Sequence, residues 1–325
     1  ESHFGGGYDW GVGFNRLAIT APQETAIQPL WSEDRRYCFV FNGEIYNYKK
    51  LRHELEGQGL SFKTSGDAEV LFKSYLLWGE EALRKGQGMF AFAIWDQHKK
   101  TRTVGRDPMG IKPLYYYKDE AGFYFASEIK PLLKLISPSV NRSTLKEYLQ
   151  KRYVSGRETL FQSIYKVLPA HVMQVTSAGK VSETSYWRFQ SQQPSISTQE
   201  FYEILRDSLE MTVASDSAAI SLLSGGVDSS IVTQGALEAG RREALFFDNG
   251  YDHDEKEAAE YFAGKNNLQL TNVSAQSRDY EILHKAIQAL EEPLADSIIV
   301  PTYKLMEAAS RNHRVVFSVE GADEL

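Results

Sequence analysis

Residues 219–232 read AISLLSGGVDSSIV, and this stretch predicts more of the fold than any other part of the chain. An apolar run ends abruptly at the Gly- and Ser-rich segment 224–230, and a helix-compatible stretch follows. The pattern indicates a buried strand, a tight turn and the first residues of a helix. Backbone N–H groups of such a turn face a concavity in front of the positive end of the helix dipole, which favours a bound phosphate.

The turn differs from the Walker loop, because no lysine follows it. It resembles instead the S-G-G-x-D-S pyrophosphate loop of enzymes that cleave ATP between its α and β phosphates and adenylate a substrate. The alternative is a strand–helix turn that happens to be rich in glycine and serine, and the complete match in this context disfavours it. Asp228 could hold a magnesium ion against the phosphates.

Composition indicates a globular chain with room for two domains. It has 325 residues, of which 42% are hydrophobic and 24% charged. The formal net charge of −7 argues against a nucleic-acid partner, since nonspecific binding requires a basic face. No apolar run approaches membrane-spanning length, so no membrane partner is expected. The single cysteine, Cys38, excludes an internal disulfide framework and fits a reducing, cytoplasmic location.

The first half of the chain is predicted to be an α+β domain. Strands are predicted at 37–41, 89–96, 101–105, 114–117 and 123–126, with helices at 48–58 and 68–78. Strands interrupted by helices predict a sheet sandwich covered by helices. Asn42 and Gly43 follow the first of these strands, and on their own they would favour a turn between strands.

The second half is predicted to be an α/β domain with a parallel sheet, because helices and strands alternate. The helices are predicted at 199–214, 229–239, 255–266, 280–290 and 300–311, and the strands at 218–223, 243–247, 269–273 and 314–317. The polar stretch 190–198 predicts a linker between domains at 1–189 and 199–325.

Further motifs follow one another along the chain. They are RLAI at 16–19, QPL at 28–30, FNGEIYN at 41–47, SGDAEV at 65–70, GMFAFA at 88–93, RDPMGIKPLY at 106–115, ASEIK at 126–130, EPLAD at 292–296 and SVEGADEL at 318–325. In this order they resemble the glutamine-hydrolysing asparagine synthetase family over nearly the whole chain. The resemblance implies a class II glutamine amidotransferase domain of the N-terminal-nucleophile type, followed by a pyrophosphate-loop, ATP-dependent synthetase domain.

The resemblance also implies an activity, that of an ATP-dependent carbon–nitrogen ligase with glutamine as amido donor. The first domain would release ammonia from glutamine. The second would activate a small carboxylic acid, with aspartate as first choice, as its acyl-adenylate, which ammonia then attacks. ATP and Mg²⁺ are the implied cofactors, and a homodimer is the assembly common in the family.

In the first domain, the resemblance assigns five residues to glutamine. The Asn42 amide and the Gly43 backbone N–H would form the catalytic oxyanion hole. Arg16 would bind the α-carboxylate of glutamine through its planar guanidinium. Glu44 and Asp67 would hold the ammonium and amide groups. Taken singly, the three charged residues are more typical of a solvated surface.

In the second domain, the resemblance assigns Glu320 a catalytic role, in which it helps ammonia to lose a proton as it attacks the adenylate. Asp228 and Asp323 would share the magnesium ion. The alternative for residues 320–324 is a solvated acidic turn, but its place after a predicted parallel strand favours a functional site. The residues implied to bind ATP are Leu222, Ser224, Gly225, Gly226, Asp228, Ser229, Val319 and Glu320.

Several features depart from the family pattern. The family uses an N-terminal cysteine, whereas this sequence begins at Glu1 and ends within a motif, so we expect both ends to be incomplete. Cys38 lies in an apolar strand and is expected to be an inert core thiol. Val319 stands where the family has glycine, and segment 297–301 is apolar. The alternatives are therefore an acceptor that is a larger carboxylic acid of a specialised pathway, or a nucleotide-binding protein without glutaminase activity.

Overall fold

The computed structural model describes residues 2–7, 10–15, 17, 19, 27–190, 195–214, 217–251, 253–319 and 321. The chain divides into two compact units, Glu1–Gln192 and Gln193–Leu325. Among the described residues, no helix combines the length and apolar character needed to cross a membrane.

The first unit is built on antiparallel sheets. Its elements are β1 (Ser2–Gly7), β2 (Trp10–Asn15), β3 (Leu30–Trp31), β4 (Tyr37–Ile45), α1 (Tyr48–Gly57), α2 (Asp67–Trp78), α3 (Glu80–Lys85), β5 (Gly88–Asp96), β6 (Thr101–Arg106), β7 (Tyr115–Lys118), β8 (Phe123–Ala126), α4 (Ile129–Leu133), α5 (Arg142–Lys151), β9 (Ile164–Lys166), β10 (His171–Val175) and β11 (Val181–Ser185). The main sheet has six strands in the order β11-β10-β6-β5-β4-β3, and smaller sheets have the orders β8-β7-β9 and β1-β2.

The main sheet of the first unit buries both of its faces. On one face, Phe39, Phe41, Phe90 and Phe92 pack against apolar residues of α1 and α2 such as Leu55. On the other, alternate residues of the same strands, including Val40 and Ala93, pack against the smaller sheets. Alternation along β4 and β5 therefore sends neighbouring side chains into different cores. This arrangement confirms the predicted helix-covered sheet sandwich.

Strand β4 extends beyond its predicted end. It continues through Asn42 and Gly43 to Ile45, with Gly43 opposite Phe90 of β5. The predicted end of the strand at residue 41 is therefore wrong. The turn that the Asn42-Gly43 dipeptide would favour on its own does not form, because both residues lie within β4. A Cβ at Gly43 would lie 2.1 Å from the Met89 carbonyl oxygen, so the absence of a side chain lets the two strands approach closely.

The second unit contains a parallel sheet. Its elements are α6 (Thr198–Val213), β12 (Ala219–Leu222), α7 (Val227–Glu238), β13 (Glu243–Asp248), α8 (His253–Lys265), β14 (Gln269–Ser274), a 3₁₀ turn (Asp279–Ile282), α9 (Leu283–Leu290), α10 (Ile299–Ala309) and β15 (Val315–Phe317). The four strands lie in the order β14-β13-β12-β15 and pair in parallel.

Helices cover both faces of this parallel sheet. Ala244 and Phe246 of β13 pack with residues of α7 and α8, whereas Leu245, between them, packs with Leu305 of α10. The predicted α/β domain is thereby confirmed. One predicted helix differs, because residues 279–282 form a 3₁₀ turn ahead of α9.

Candidate functional site

A cavity of about 170 Å³ in the first unit brings together most of the residues predicted to bind glutamine. Asn42, Gly43 and Glu44 of β4 contribute one wall, and Asp67 of α2 contributes another. Arg16 lies outside the described residues. The full lining consists of Asn15, Leu17, Ile19, Gln28, Leu30, Phe41, Asn42, Gly43, Glu44, Thr64, Gly66, Asp67, Ala68 and Lys112.

The Asn42-Gly43 wall carries hydrogen-bond donors. The half-buried Asn42 side chain donates from Nδ2 to Ser127 Oγ at 3.4 Å, which orients its amide. Gly43 presents backbone alone to the cavity, so a ligand can approach the peptide unit without meeting a side chain. An amide and a peptide N–H side by side are the groups that stabilise an oxyanion in acyl transfer.

Asp67 connects the two walls of the cavity. It is the first residue of α2, its side chain is buried, and its Oδ2 accepts a hydrogen bond from Ile45 N at 2.9 Å. Because Ile45 is the last residue of β4, this bond fixes the helix N-terminus to the strand that carries Asn42 and Gly43.

Burial and nearby carboxylates raise the pKa of the Tyr46 phenol beside the Asn42-Gly43 wall. Burial first, and then the charges of Glu44 and Asp107, raise the pKa of Tyr46 to about 12. A tyrosine is neutral at physiological pH in any case, and the raised pKa extends the neutral form of Tyr46 to higher pH.

Gln28 fixes β4 at Phe41, immediately before Asn42 and Gly43, a role that the sequence did not reveal. Its buried side chain accepts from Phe41 N at 2.6 Å through Oε1 and donates to Phe41 O at 3.0 Å through Nε2. The side-chain amide thus pairs with the strand as a neighbouring peptide group would. The QPL motif was the available signal, although sequence alone suggested no partner for it.

Asp107 organises the loop that leads to Lys112. Its side chain is fully buried and accepts backbone hydrogen bonds from Phe90 at 3.2 Å, Met109 at 3.1 Å, Ile111 at 2.9 Å and Lys112 at 2.9 Å. One carboxylate therefore connects the cavity-lining Lys112 to the strand that lies opposite Gly43.

Arg106 completes the same loop from the other side. It donates to the carbonyl oxygens of Gly110 at 2.6 Å, Lys112 at 2.7 Å and Val167 at 2.9 Å. Burial lowers the pKa of its guanidinium, and the neighbouring Asp107 carboxylate opposes that effect. The RDPMGIKPLY motif contained these two residues and their partners in the loop, but the hydrogen bonds to Phe90 and Val167 join parts of the chain that are distant in sequence.

Cys38 lies in a different environment from a reactive thiol. Its side chain is buried in β4, and burial raises its pKa to about 12. It is thus a core residue, as its apolar strand predicts, and it does not line the cavity of the predicted glutamine site.

In the second unit, β12, a loop and α7 follow one another as the sequence predicts. Within the loop, the hydroxyls of Ser224 and Ser229 lie 3.0 Å apart, Ser224 N donates to Ser229 Oγ at 3.2 Å, and Gly226 N donates to Ser224 Oγ at 3.3 Å. These bonds hold the loop in a closed turn at the N-terminus of α7.

Gly225 is required by the path of this loop. Its φ is +90°, and a Cβ would lie 2.3 Å from the Glu255 carbonyl oxygen and 3.2 Å from Ala259 N, both on α8. The loop thus packs directly on the backbone of a second helix, which no side chain at this position would allow.

The other predicted nucleotide residues lie at the carboxyl edge of the parallel sheet. Half-buried Leu222 ends β12, and half-buried Val319 follows β15, which pairs with β12. Glu320 lies outside the described residues. Parallel strands end at the same edge, where ligand sites form in open α/β sheets.

The metal site can be judged from one of its two predicted ligands. Asp228 is half-buried in the first turn of α7, beside the closed loop, and a carboxylate there suits Mg²⁺ that also binds phosphate oxygens and water. Asp323 lies outside the described residues. In the described part of the chain, no group of three or more His, Cys, Asp or Glu side chains could hold a metal ion by itself.

Asp248 and Lys256 connect two elements behind the loop. Lys256 Nζ of α8 lies 2.7 Å from Asp248 Oδ2 at the carboxyl end of β13. Hydrogen bonding to Asp248 raises the pKa of Lys256. This ion pair holds the first turn of α8, against which Gly225 packs, to the edge of the sheet.

Comparison with known proteins agrees with both units. The family model of the glutamine amidotransferase domain matches residues 4–187, and that of asparagine synthase matches residues 200–325. Asparagine synthetase (glutamine-hydrolyzing) 1 of Bacillus subtilis (strain 168) is 35% identical over 97% of this chain and 51% of its own length. A putative asparagine synthetase (glutamine-hydrolyzing) of Mycobacterium tuberculosis (strain ATCC 25618 / H37Rv) is 32% identical over 96% of this chain and 51% of its own.

The chain therefore spans about half the length of these curated relatives. A putative asparagine synthetase (glutamine-hydrolyzing) 2 of Methanocaldococcus jannaschii is 29% identical over 98% of this chain and 66% of its own length. The chain belongs to the glutamine-hydrolysing asparagine synthetase family, with a glutamine amidotransferase domain joined to an asparagine synthase domain.

Proposed function

We propose that this chain supplies the amidotransferase and ATP-binding units of a glutamine-dependent, amide-forming ligase of the asparagine synthetase type. The observation that supports this most directly is the cavity at which Asn42, Gly43, Glu44 and Asp67 meet. The same chain carries a closed strand–loop–helix turn of the pyrophosphate-loop type at 219–238. Glutamine hydrolysis requires a site of the first kind, and adenylation of a carboxylate requires one of the second.

In the first unit, the proposed reaction is hydrolysis of the glutamine side-chain amide. Arg16 binds the α-carboxylate, while Glu44 and Asp67 bind the ammonium and amide groups. The thiol of the N-terminal cysteine that the family uses would attack the amide carbon, and Asn42 and Gly43 would donate hydrogen bonds to the oxyanion that forms on the carbonyl oxygen. The C–N bond then breaks and ammonia leaves, and water hydrolyses the resulting thioester to glutamate and the free thiol. Cys38 does not supply the attacking thiol, because it is buried and its pKa is raised.

In the second unit, the proposed reaction is formation of an acyl-adenylate. The loop at Ser224–Gly226 and the N-terminus of α7 bind the phosphates, with Ser229 closing the loop and Leu222 and Val319 beside the nucleotide. A substrate carboxylate oxygen attacks the α-phosphorus and pyrophosphate leaves. Ammonia then attacks the acyl carbon, AMP leaves, and Glu320 accepts the proton that ammonia loses.

Mg²⁺ is the proposed partner of ATP in this unit. Asp228 and Asp323 would bind it together with phosphate oxygens. The ion would neutralise charge on the departing pyrophosphate. Since two carboxylates would leave most of the coordination to nucleotide and water, binding of the ion should depend on ATP.

Aspartate is the proposed acceptor, and a larger carboxylic acid is the second candidate. The residue in favour of the second is Val319, half-buried two residues after β15, because a branched side chain there would narrow the space next to a bound nucleotide. We further propose a cytoplasmic enzyme that acts as a homodimer and has neither a nucleic-acid nor a membrane partner.

The test is a reconstitution of both half-reactions with the complete gene product. Glutamine, ATP, Mg²⁺ and aspartate should give asparagine, glutamate, AMP and pyrophosphate. Exchange of labelled pyrophosphate into ATP should depend on the carboxylic acid supplied, so a panel of acids identifies the acceptor. Ammonium chloride should replace glutamine.

Each outcome of this test distinguishes one interpretation. Exchange with a larger acid but not with aspartate would replace the acceptor and keep the ligase. Ammonia-dependent synthesis without glutamine hydrolysis would indicate a protein whose glutaminase is inactive. ATP binding without exchange for any acid would contradict the ligase proposal.

A further inference from the structure

The loop before Asp67 is held by three charged side chains outside the cavity. Glu69 of α2 has only 7% of its side chain exposed, and it accepts hydrogen bonds from Lys63 N at 3.0 Å and from Thr64 N at 2.7 Å. Its Oε2 also accepts from Thr64 Oγ1 at 2.8 Å. Lys73, one turn later on α2, pairs with Glu69 at 3.1 Å and donates to the Ser61 carbonyl.

Arg52 of α1 holds the same loop from the other side. Its guanidinium donates to Thr64 O at 2.8 Å and stacks over the Phe62 ring, 4.5 Å from the ring centroid. The Lys73 ammonium lies 5.0 Å from the same centroid. The contacts of the two cations with the Phe62 ring add to the hydrogen bonds. Side chains of both α1 and α2 therefore hold this loop in place.

Thr64 is the residue on which these contacts converge. Its N–H and hydroxyl both donate to Glu69, and its carbonyl accepts from Arg52, so all three of its polar groups are engaged. Thr64 itself lines the cavity with Gly66 and Asp67, whereas Glu69 does not. The position of this cavity wall therefore depends on a carboxylate that a bound ligand would not touch.

The charge of Glu69 suits this task. Burial opposes its ionisation, but hydrogen bonds from Lys63, Thr64 and Lys73 outweigh burial and hold the pKa of the carboxyl below its ordinary value. A carboxylate accepts these donors at once, whereas an amide would set its own NH₂ against one of them.

We propose that Glu69 is a positioning residue for glutamine, which acts by fixing Thr64 and thereby the wall that leads to Asp67. This inference rests on the proposed glutamine hydrolysis and deepens it. Arg52 acts in the same way through the Thr64 carbonyl. Loosening this wall should weaken the binding of glutamine more than it slows the bond-breaking step, because the oxyanion donors lie on β4.

The test uses kinetics of glutamine hydrolysis by the complete gene product and its variants. Glu69→Ala should raise KM for glutamine by about tenfold or more, with kcat within about threefold, because it removes several charge-assisted hydrogen bonds. Glu69→Gln should recover only part of the affinity, since its carbonyl oxygen can still accept from Thr64 whereas its NH₂ group would face the Lys63 N–H. Ammonia-dependent amide formation in the same samples should not change.

A matched control is Glu81→Ala on α3, which removes an exposed ion pair with Arg84. It should leave KM and kcat unchanged. If Glu69→Ala does not fold, Arg52→Met decides, and it should raise KM several-fold with kcat retained. The proposal is overturned if KM stays within about twofold in the deciding variant, or if kcat falls as much as affinity.

Failure of the proposed function would look different. In that case the unmodified protein itself would fail to hydrolyse glutamine, and the positioning role would fall with it. Active unmodified protein together with an unaltered KM in Glu69→Ala would instead overturn the positioning role alone.

Discussion

Alanine substitutions at two glycines of the second unit allow the effect of backbone conformation to be distinguished from that of steric contact. Gly225 has φ +90° and Gly240 has φ +80°, so an alanine at either position adopts a left-handed backbone. A Cβ at Gly240 would have no heavy atom within 4 Å, whereas one at Gly225 would overlap the Glu255 carbonyl oxygen. The difference between the two substitutions therefore reports the contact of the loop with α8.

We expect Gly225→Ala to lower carboxylate-dependent ATP–pyrophosphate exchange by at least about tenfold. The added Cβ would overlap the backbone of α8, so the loop would have to move away from that helix and lose its position for binding phosphate. Gly240→Ala should lose only a little stability, about 1 kcal/mol, and keep the exchange rate. Equal losses of exchange in the two variants would mean that backbone strain, rather than the packing of the loop, is responsible.

The thiol of Cys38 allows a test of burial at a single residue. Burial raises its pKa to about 12, so the thiolate is scarce at pH 8 and even at pH 10. In folded protein, iodoacetamide should leave the Cys38 peptide unmodified across this pH range, as measured by peptide mapping. In denaturant the same peptide should react fully at pH 8. Rapid labelling of the folded protein would place the residue in an accessible site.

At the scale of elements, local patterns predict what local contacts determine. The strand, turn and helix around Ser224 lie within one short stretch, and the pattern of apolar residues and glycines was sufficient to predict them. The end of β4 could not be predicted in this way, because Gly43 extends the strand through its contact with Met89 on another strand. Asp107 was visible in a motif together with three of its partners, but Phe90 of β5 is brought close to it only by the folded sheet.

The loop that Asp107 organises should depend on its charge. We expect Asp107→Asn to destabilise the first unit by about 2–3 kcal/mol, because an amide cannot accept all four backbone N–H groups and an unpaired buried donor is costly. Urea unfolding followed by intrinsic fluorescence measures the change. Asp107→Asn should also weaken glutamine binding, since Lys112, whose backbone Asp107 holds, lines the cavity.

A matched control for that substitution is Asp119→Asn. Asp119 also accepts two backbone hydrogen bonds, from Ala121 N and Gly122 N, but it is exposed in the turn between β7 and β8. Water can replace those bonds, so the cost should stay below about 1 kcal/mol. Similar losses in the two variants would show that burial of Asp107 is not what makes its bonds matter.

At the scale of the whole molecule, the two reactions that we propose for the two units share only ammonia. Glutamine-dependent amide formation requires both reactions, ammonia-dependent formation requires only the second, and glutamine hydrolysis requires only the first. Substitutions in one unit should therefore leave a defined half-reaction intact. The cavity at Asn42 and the loop at Gly225 lie in different compact units of the chain, which makes such a separation testable.

We expect Asn42→Ala to lower kcat of glutamine hydrolysis about 10²–10³-fold through loss of one oxyanion donor, while ammonia-dependent amide formation keeps its rate. Gly225→Ala should do the reverse and lower amide formation from either nitrogen source by at least about tenfold, with glutamine hydrolysis retained. Parallel assays of glutamate, AMP and amide in the two variants make the comparison. If Asn42→Ala also impaired the ammonia-dependent reaction, its effect could not be assigned to the oxyanion, because no oxyanion of glutamine forms when ammonia is the donor.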